Sequence, residues 1–247
     1  MFKSLETGHA KNMTNMETLI AAISNFGDKY NPSKESIKPD ALQAVLKSTK
    51  ESFDAFYVAQ SVYANAVDAR TAAFKPLGKL ITRINNALKA SDSSTLSDES
   101  FKSIIRKLQG RRASAKLTEQ EKQALAIDGK LVNQISTSQM GYESRLENID
   151  KLIIHLSTIP EYKPNEEELK LDTIKTLHAQ LKASNTAVIA ASLQLERTRA
   201  TRNEILYHPL TGLVDLATDA KTYIKSAFGT TSSEYKQVSN LSFRFVY

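Results

Sequence analysis

The sequence predicts an all-α protein: an elongated helical bundle of two tandem three-helix repeats, with long antiparallel helices and a short strand-like C-terminal tail. Three observations predict it. Only 8 glycines and 6 prolines interrupt 247 residues, and these are the two residues that disfavour a helix interior most. Apolar residues recur at helical spacing over long stretches. A long segment of helix-forming sequence also occurs twice. With 41% apolar residues the chain can bury a substantial core.

The duplication shows in YNPSKESIKPDALQAVL at 30–46 and YKPNEEELKLDTIKTLH at 162–178. Sliding the chain by 132 positions from Tyr30 to Phe74 gives ten identities in 45 positions, among them Tyr30/Tyr162, Pro32/Pro164, Glu35/Glu167, Lys38/Lys170 and Arg70/Arg202. A one-residue slip extends the match to NMETLI at 15–20 and NIDKLI at 148–153. A period this long indicates two supersecondary units rather than a short-repeat solenoid. The expected organisation is one elongated domain, with repeat 1 over about 9–92, a basic connector over about 93–135, repeat 2 over about 136–229 and a tail over 230–247.

Each repeat reads as three helices. The first covers about 9–26, matched by 136–158, the latter continuing an upstream helix with a bend near Gly129 and Gly141. The second repeat's long helix is expected from a capping box of Asn165 and Glu168, running to about 206. In the first repeat Pro39 lacks an amide donor, so a short turn should precede a helix over 39–74. These helices carry a seven-residue rhythm: Ile174, Leu181, Val188 and Leu195 beside Leu177, Ser184, Ala191 and Thr198. The first copy has Leu42, Thr49, Phe56 and Tyr63 beside Val45, Ser52, Ala59 and Ala66. One column is bulky and the other small, which suits close intramolecular packing of helices on the order of 50–60 Å long. Arg70 and Arg202 end the bulky columns, where a long side chain commonly reaches its charge out to water.

Third helices follow at 75–90 and 208–229. Between the copies, Ser97 is expected to cap a short helix to about 109, and Thr118 with Glu121 to open another. Finally Leu241, Phe243, Phe245 and Tyr247 alternate with smaller or polar residues. That is a strand rhythm, and a lone strand must pair with something. These four residues are therefore the candidate assembly element.

The net charge of +6 has one address. Lys102, Arg106, Lys107, Arg111, Arg112 and Lys116 fall in fifteen residues without an acid; removing those six from the 33 basic residues leaves 27, the number of acids. They are the candidate anion-binding residues, although no tyrosine or tryptophan is interleaved to stack on bases. Catalytic signals are lacking: there is no cysteine, and His9, His155, His178 and His208 show no metal-ligand spacing. Glu166, Glu167 and Glu168 suit a helix dipole rather than carboxylate chemistry. No catalytic, metal or cofactor residue is expected. The absence of an 18-residue apolar run or a secretory leader points to a cytoplasmic protein without a membrane span.

GHAKNMTNMETLI, LITRINNALKASD, LQGRRASAKLTEQEKQAL and GLVDLATDAKTYIKSAFG together resemble an uncharacterised family of bacterial proteins of about this length, over most of the chain. The resemblance implies a bacterial origin and carries no activity or functional residue. The expected function is a non-enzymatic helical scaffold or interaction protein, partnered by another protein or by itself through the tail. The alternative is binding of nucleic acid or an acidic lipid surface by the connector, followed by a membrane-inserting toxin.

Overall fold

A computed structural model of the chain describes residues 6–91, 99–111, 120, 127 and 140–246, and over these the protein is all-α, with no β-strand. In chain order the helices are α1 (Glu6–Phe26), α2 (Pro39–Phe74), α3 (Leu77–Lys89), α4 (Glu99–Leu108), α5 (Tyr142–Ser157), α6 (Leu171–Tyr207), α7 (Leu213–Phe228) and α8 (Ser233–Ser239). Among the described residues no helix is long and apolar enough to cross a membrane.

The two matched segments adopt the same local structure. A 3-10 turn at Glu35–Ile37 precedes α2, and its counterpart at Glu167–Leu169 precedes α6. In one copy the Tyr30 hydroxyl donates to the Ile37 carbonyl at 2.8 Å; in the other Tyr162 donates to the Leu169 carbonyl at 2.8 Å. Lys38 pairs with Glu35 as Lys170 pairs with Glu167. The expected capping box at Asn165 and Glu168 is therefore wrong, because the helix begins at Leu171. The short turn expected from Pro39 is present, but the second copy makes it without a proline. The tyrosine bond and the burial of Ile37 and Leu169 account for the turn in both copies.

This tyrosine pair gives a testable pH dependence. Burial, with a smaller contribution from Glu166, raises the Tyr162 hydroxyl from 10.0 to about 12. Burial, aided by Tyr223, pushes Tyr30 up as well. The unfolded chain then loses these phenolic protons first, so stability should hold below pH 10 and fall as pH rises through the folded values. Urea midpoints measured across this range should show the decline. The double substitution Tyr30→Phe with Tyr162→Phe should flatten it, at the expense of about 1 kcal/mol per site at neutral pH.

Other boundaries differ from the sequence expectation for local reasons. Gly141 takes an extended conformation, φ −61 and ψ 151, and starts α5 instead of lying within a longer helix. α7 begins at Leu213 rather than beside Pro209. Before it, Leu210 adopts a left-handed backbone with φ 68, its amide held by Asp215 Oδ2 at 2.8 Å. Gly212 is required there, since a Cβ would lie 2.6 Å from the His208 nitrogen. The expected caps at Ser97, Thr118 and Glu121 lie outside the described residues.

Two compact units form, Met1–Ala64 with Ala191–Tyr247 and Asn65–Ala190. In the first, α2 and α6 run antiparallel: Ala44 and Val45 lie beside Ile205, whereas Phe56 lies beside Leu195. Of the seven-residue columns, Leu42, Thr49, Ser52, Phe56 and Ala59 of α2 and Ala191 and Leu195 of α6 are buried in this unit, and Ile174, Leu181 and Val188 of α6 in the other, whereas Val45, Tyr63, Ala66, Leu177, Ser184 and Thr198 are half-buried.

The copies and the units divide the chain differently. The first unit's core joins Met16, Leu19, Ile23 and Leu42 of copy one to Leu213, Leu216 and Ile224 of copy two. The second joins Phe74, Leu77, Ile81 and Ile84 of copy one to Ile149, Leu152, Leu156 and Ile174 of copy two. Each unit thus pairs the first helix and leading half of the long helix from one copy with the trailing half and third helix from the other. Burial depth is matched between them: Met16/Ile149, Leu19/Leu152 and Ile23/Leu156 are all almost fully enclosed.

Candidate functional site: a basic helix and a docked tail

In the second unit, α4 is amphipathic. Phe101, Ile105 and Leu108, spaced four and three residues apart, are buried with residues of α3 and α5. That spacing leaves Lys102 exposed and Arg106 and Lys107 half-buried, with Arg111 exposed just beyond the helix. Arg112 and Lys116 lie outside the described residues. The basic face is not isolated: the Glu147 carboxyl is held below the usual range first by its hydrogen bond from Lys151 and to a smaller degree by the charge of Lys107. Four of the six candidate anion-binding residues are thus placed on one short stretch, partly offset by an acid on α5.

The tail is no strand. After α8, a helix the sequence pattern did not predict, Asn240 makes a turn and residues 241–246 run without regular secondary structure. Their backbone bonds to side chains of helices instead of to another strand. Asn12 Nδ2 donates to the Arg244 carbonyl at 2.7 Å while Asn12 Oδ1 accepts from the Arg244 amide at 3.0 Å. Asn15 Nδ2 donates to the Ser242 carbonyl at 2.7 Å, and Lys221 Nζ to the Leu241 carbonyl at 2.5 Å. The primary amide of Asn12 matches the donor-acceptor pair of a peptide group, which is how a helix side chain can replace a neighbouring strand. Leu241 and Phe243 pack on the first core, and the Phe245 ring lies 5.6 Å from that of Tyr207. In the period-two pattern Leu241 and Phe243 face the chain's own helices, whereas Phe245 is 46% exposed. Tyr247 lies outside the described residues.

Asn12→Ala should release this clamp. The expected loss is about 1–3 kcal/mol, since a buried amide and both backbone groups of Arg244 lose partners. Hydrogen exchange at the Arg244 amide should quicken about 10- to 100-fold, with α3 and α5 unaffected.

The paired arginines sit in equivalent places with different partners. Arg202, only 2% exposed, places its guanidinium 4.6 Å from the Phe56 ring and 5.8 Å from that of Phe53, and donates to Asn203 Oδ1. The expectation that it reaches out to water is thus reversed: two aromatic faces receive the cation inside the seam. Arg70, half-buried, donates to Asn185 Oδ1 at 2.8 Å and stacks 4.0 Å over Tyr142, while Asn185 Nδ2 donates to Glu143. Phe53 and Asn185 are themselves matched positions at the 132-residue offset, so the matched arginines meet different partners.

No family model, curated protein or solved structure matches this chain.

Two open grooves accompany these features. One of about 460 Å³ in the first unit is lined by Lys221, Lys225, Thr222 and Tyr235 together with the tail, and burial lowers the Lys221 pKa. The other, about 340 Å³ in the second unit, has Glu143, Glu147, Asp150 and His178 on its walls. Among the described residues no group of three or more His, Asp or Glu is placed to hold a metal ion. His9 is buried with Nδ1 2.6 Å from the Tyr207 hydroxyl, a bond that ties α1 to the end of α6.

Proposed function

We propose that the protein is a non-enzymatic helical scaffold that binds other proteins through the outer face of a long helix. The carrying observation is on α2, where Tyr57, Val58 and Val62 are 48%, 64% and 52% exposed. Val58 and Val62 are one helical turn apart and share a face. A single exposed apolar side chain is ordinary, whereas a cluster on one helix is the usual mark of an interaction surface. The buried polar groups support the reading, because His9, Asn12 and Arg202 serve packing: they join α1 to α6, hold the tail and fill the helix seam. Assembly through Leu241, Phe243 and Phe245 would require the tail to leave Asn12.

Substituting Val58→Asp and Val62→Asp together tests this. The urea midpoint should shift by no more than about 0.5 kcal/mol, as expected for exposed sites. Proteins cross-linked to the wild-type chain in its native cell should no longer be recovered. Recovery of the same set with both chains would refute the proposal.

A second reading, anion binding, is supported by Lys102, Arg106, Lys107 and Arg111 lying together without an acid between them. Phosphate binding by these cations would weaken steeply with salt. Binding of short DNA, RNA or acidic vesicles that is absent at low salt counts against it.

A further inference from the structure

The two cores are each completed across the boundary between the copies, and so are the polar contacts that fasten them. Arg70 of copy one bonds Asn185 of copy two at 2.8 Å. Arg145 of copy two donates to the Phe74 carbonyl of copy one at 3.1 Å, satisfying a carbonyl at the C-terminal end of α2. His9 meets Tyr207, and Lys34 pairs with Asp219 at 2.5 Å. The third helix of copy one shares its buried cluster with the first helix of copy two, while the first helix of copy one is buried in the other cluster. A copy taken alone would leave the apolar faces of its first and third helices open.

The covalent link between copies runs through positions 112–139. Gly110 lies against Met140, where a Cβ on the glycine would come within 2.9 Å of the Met140 sulfur. Gly110 and Met140 flank positions 112–139, and a link of 28 residues can span on the order of 90 Å. The described members of both cores lie outside that link.

We infer that the two copies are a binding pair, and that the surface each presents takes the opposite copy of a second chain as readily as that of its own. The partner is another molecule of this protein, and the product is a dimer with reciprocally exchanged halves. Because the link keeps the halves of one chain at high effective concentration, the monomer dominates in dilute solution. The exchanged form gains as protein concentration rises.

The test places a protease recognition sequence within 112–139 of the full chain and cuts the folded protein. The two fragments should travel together in native chromatography at the mass of the uncut 27.4 kDa chain. Isotopically heavy and light cut proteins, unfolded together in urea and refolded, should give mixed heavy–light pairs as about half of all pairs by native mass spectrometry, as random exchange requires. Fragments that part without denaturant, or that regain their helix without pairing, overturn the inference.

Discussion

Truncating Phe56 to alanine is expected to lower stability by about 3–5 kcal/mol, read as a fall in the urea midpoint with an unchanged slope. The side chain is 1% exposed at a bulky position of the seam, clustered with Ala59, Leu195 and Tyr63. Its loss opens a cavity and also removes the ring beneath the Arg202 guanidinium. The arginine is itself enclosed, so the second effect adds to the first. Phe56→Leu separates them, keeping most of the volume while removing the π face; it should lose about 1–2 kcal/mol. Tyr57→Ala, one residue along on the exposed side, should change stability by less than about 1 kcal/mol.

The reciprocal cores predict an unusual pattern of energetic coupling. Ile84→Ala and Leu152→Ala each empty a position with no exposure, and each should lose about 2–5 kcal/mol. They belong to opposite copies but to one buried cluster. Their double-mutant cycle should therefore depart from additivity by about 0.5–3 kcal/mol. Ile84→Ala with Leu19→Ala joins residues of the same copy in different clusters, and should add to within about 0.5 kcal/mol. Self-contained tandem copies would give the opposite result, so the two cycles decide between the architectures.

Much of the fold was legible because periodicity reports which face of a helix is buried. The columns from Leu42 to Tyr63 and from Ile174 to Leu195 identified the seam, and α2 begins at Pro39 as its missing amide suggested. What could not be read is which copy's faces meet. Leu19 and Leu152 look alike in sequence, and nothing in either says whether its third-helix neighbour is Leu88 or Ile224. That choice depends on contacts more than a hundred residues apart. Local pattern also failed where a side chain replaced the expected backbone partner. Asn12 reads as an unremarkable polar residue of an amphipathic helix, yet it holds both backbone groups of Arg244, where the pattern of Leu241–Phe245 pointed to a strand partner. One signal for α8 was available: Phe101-Lys102 and Tyr235-Lys236 recur at nearly the repeat spacing, marking a fourth helix in each copy.

The basic face of α4 and the exposed row on α2 differ in how far sequence could find them. Six cations without an acid are visible by inspection. Tyr57, Val58 and Val62 are hidden among apolar neighbours such as Phe53 and Phe56, and only burial separates the exposed from the enclosed.

The first unit's core also sets an order of events during protein synthesis. The ribosome delivers Phe26 roughly 190 residues before it delivers Leu213, whose helix shares its core. At about 5–20 residues per second, α1 must wait roughly 10–40 s for its partner to emerge. In that interval its apolar stripe is open to holding chaperones, and a pause in translation between the two copies would lengthen the exposure.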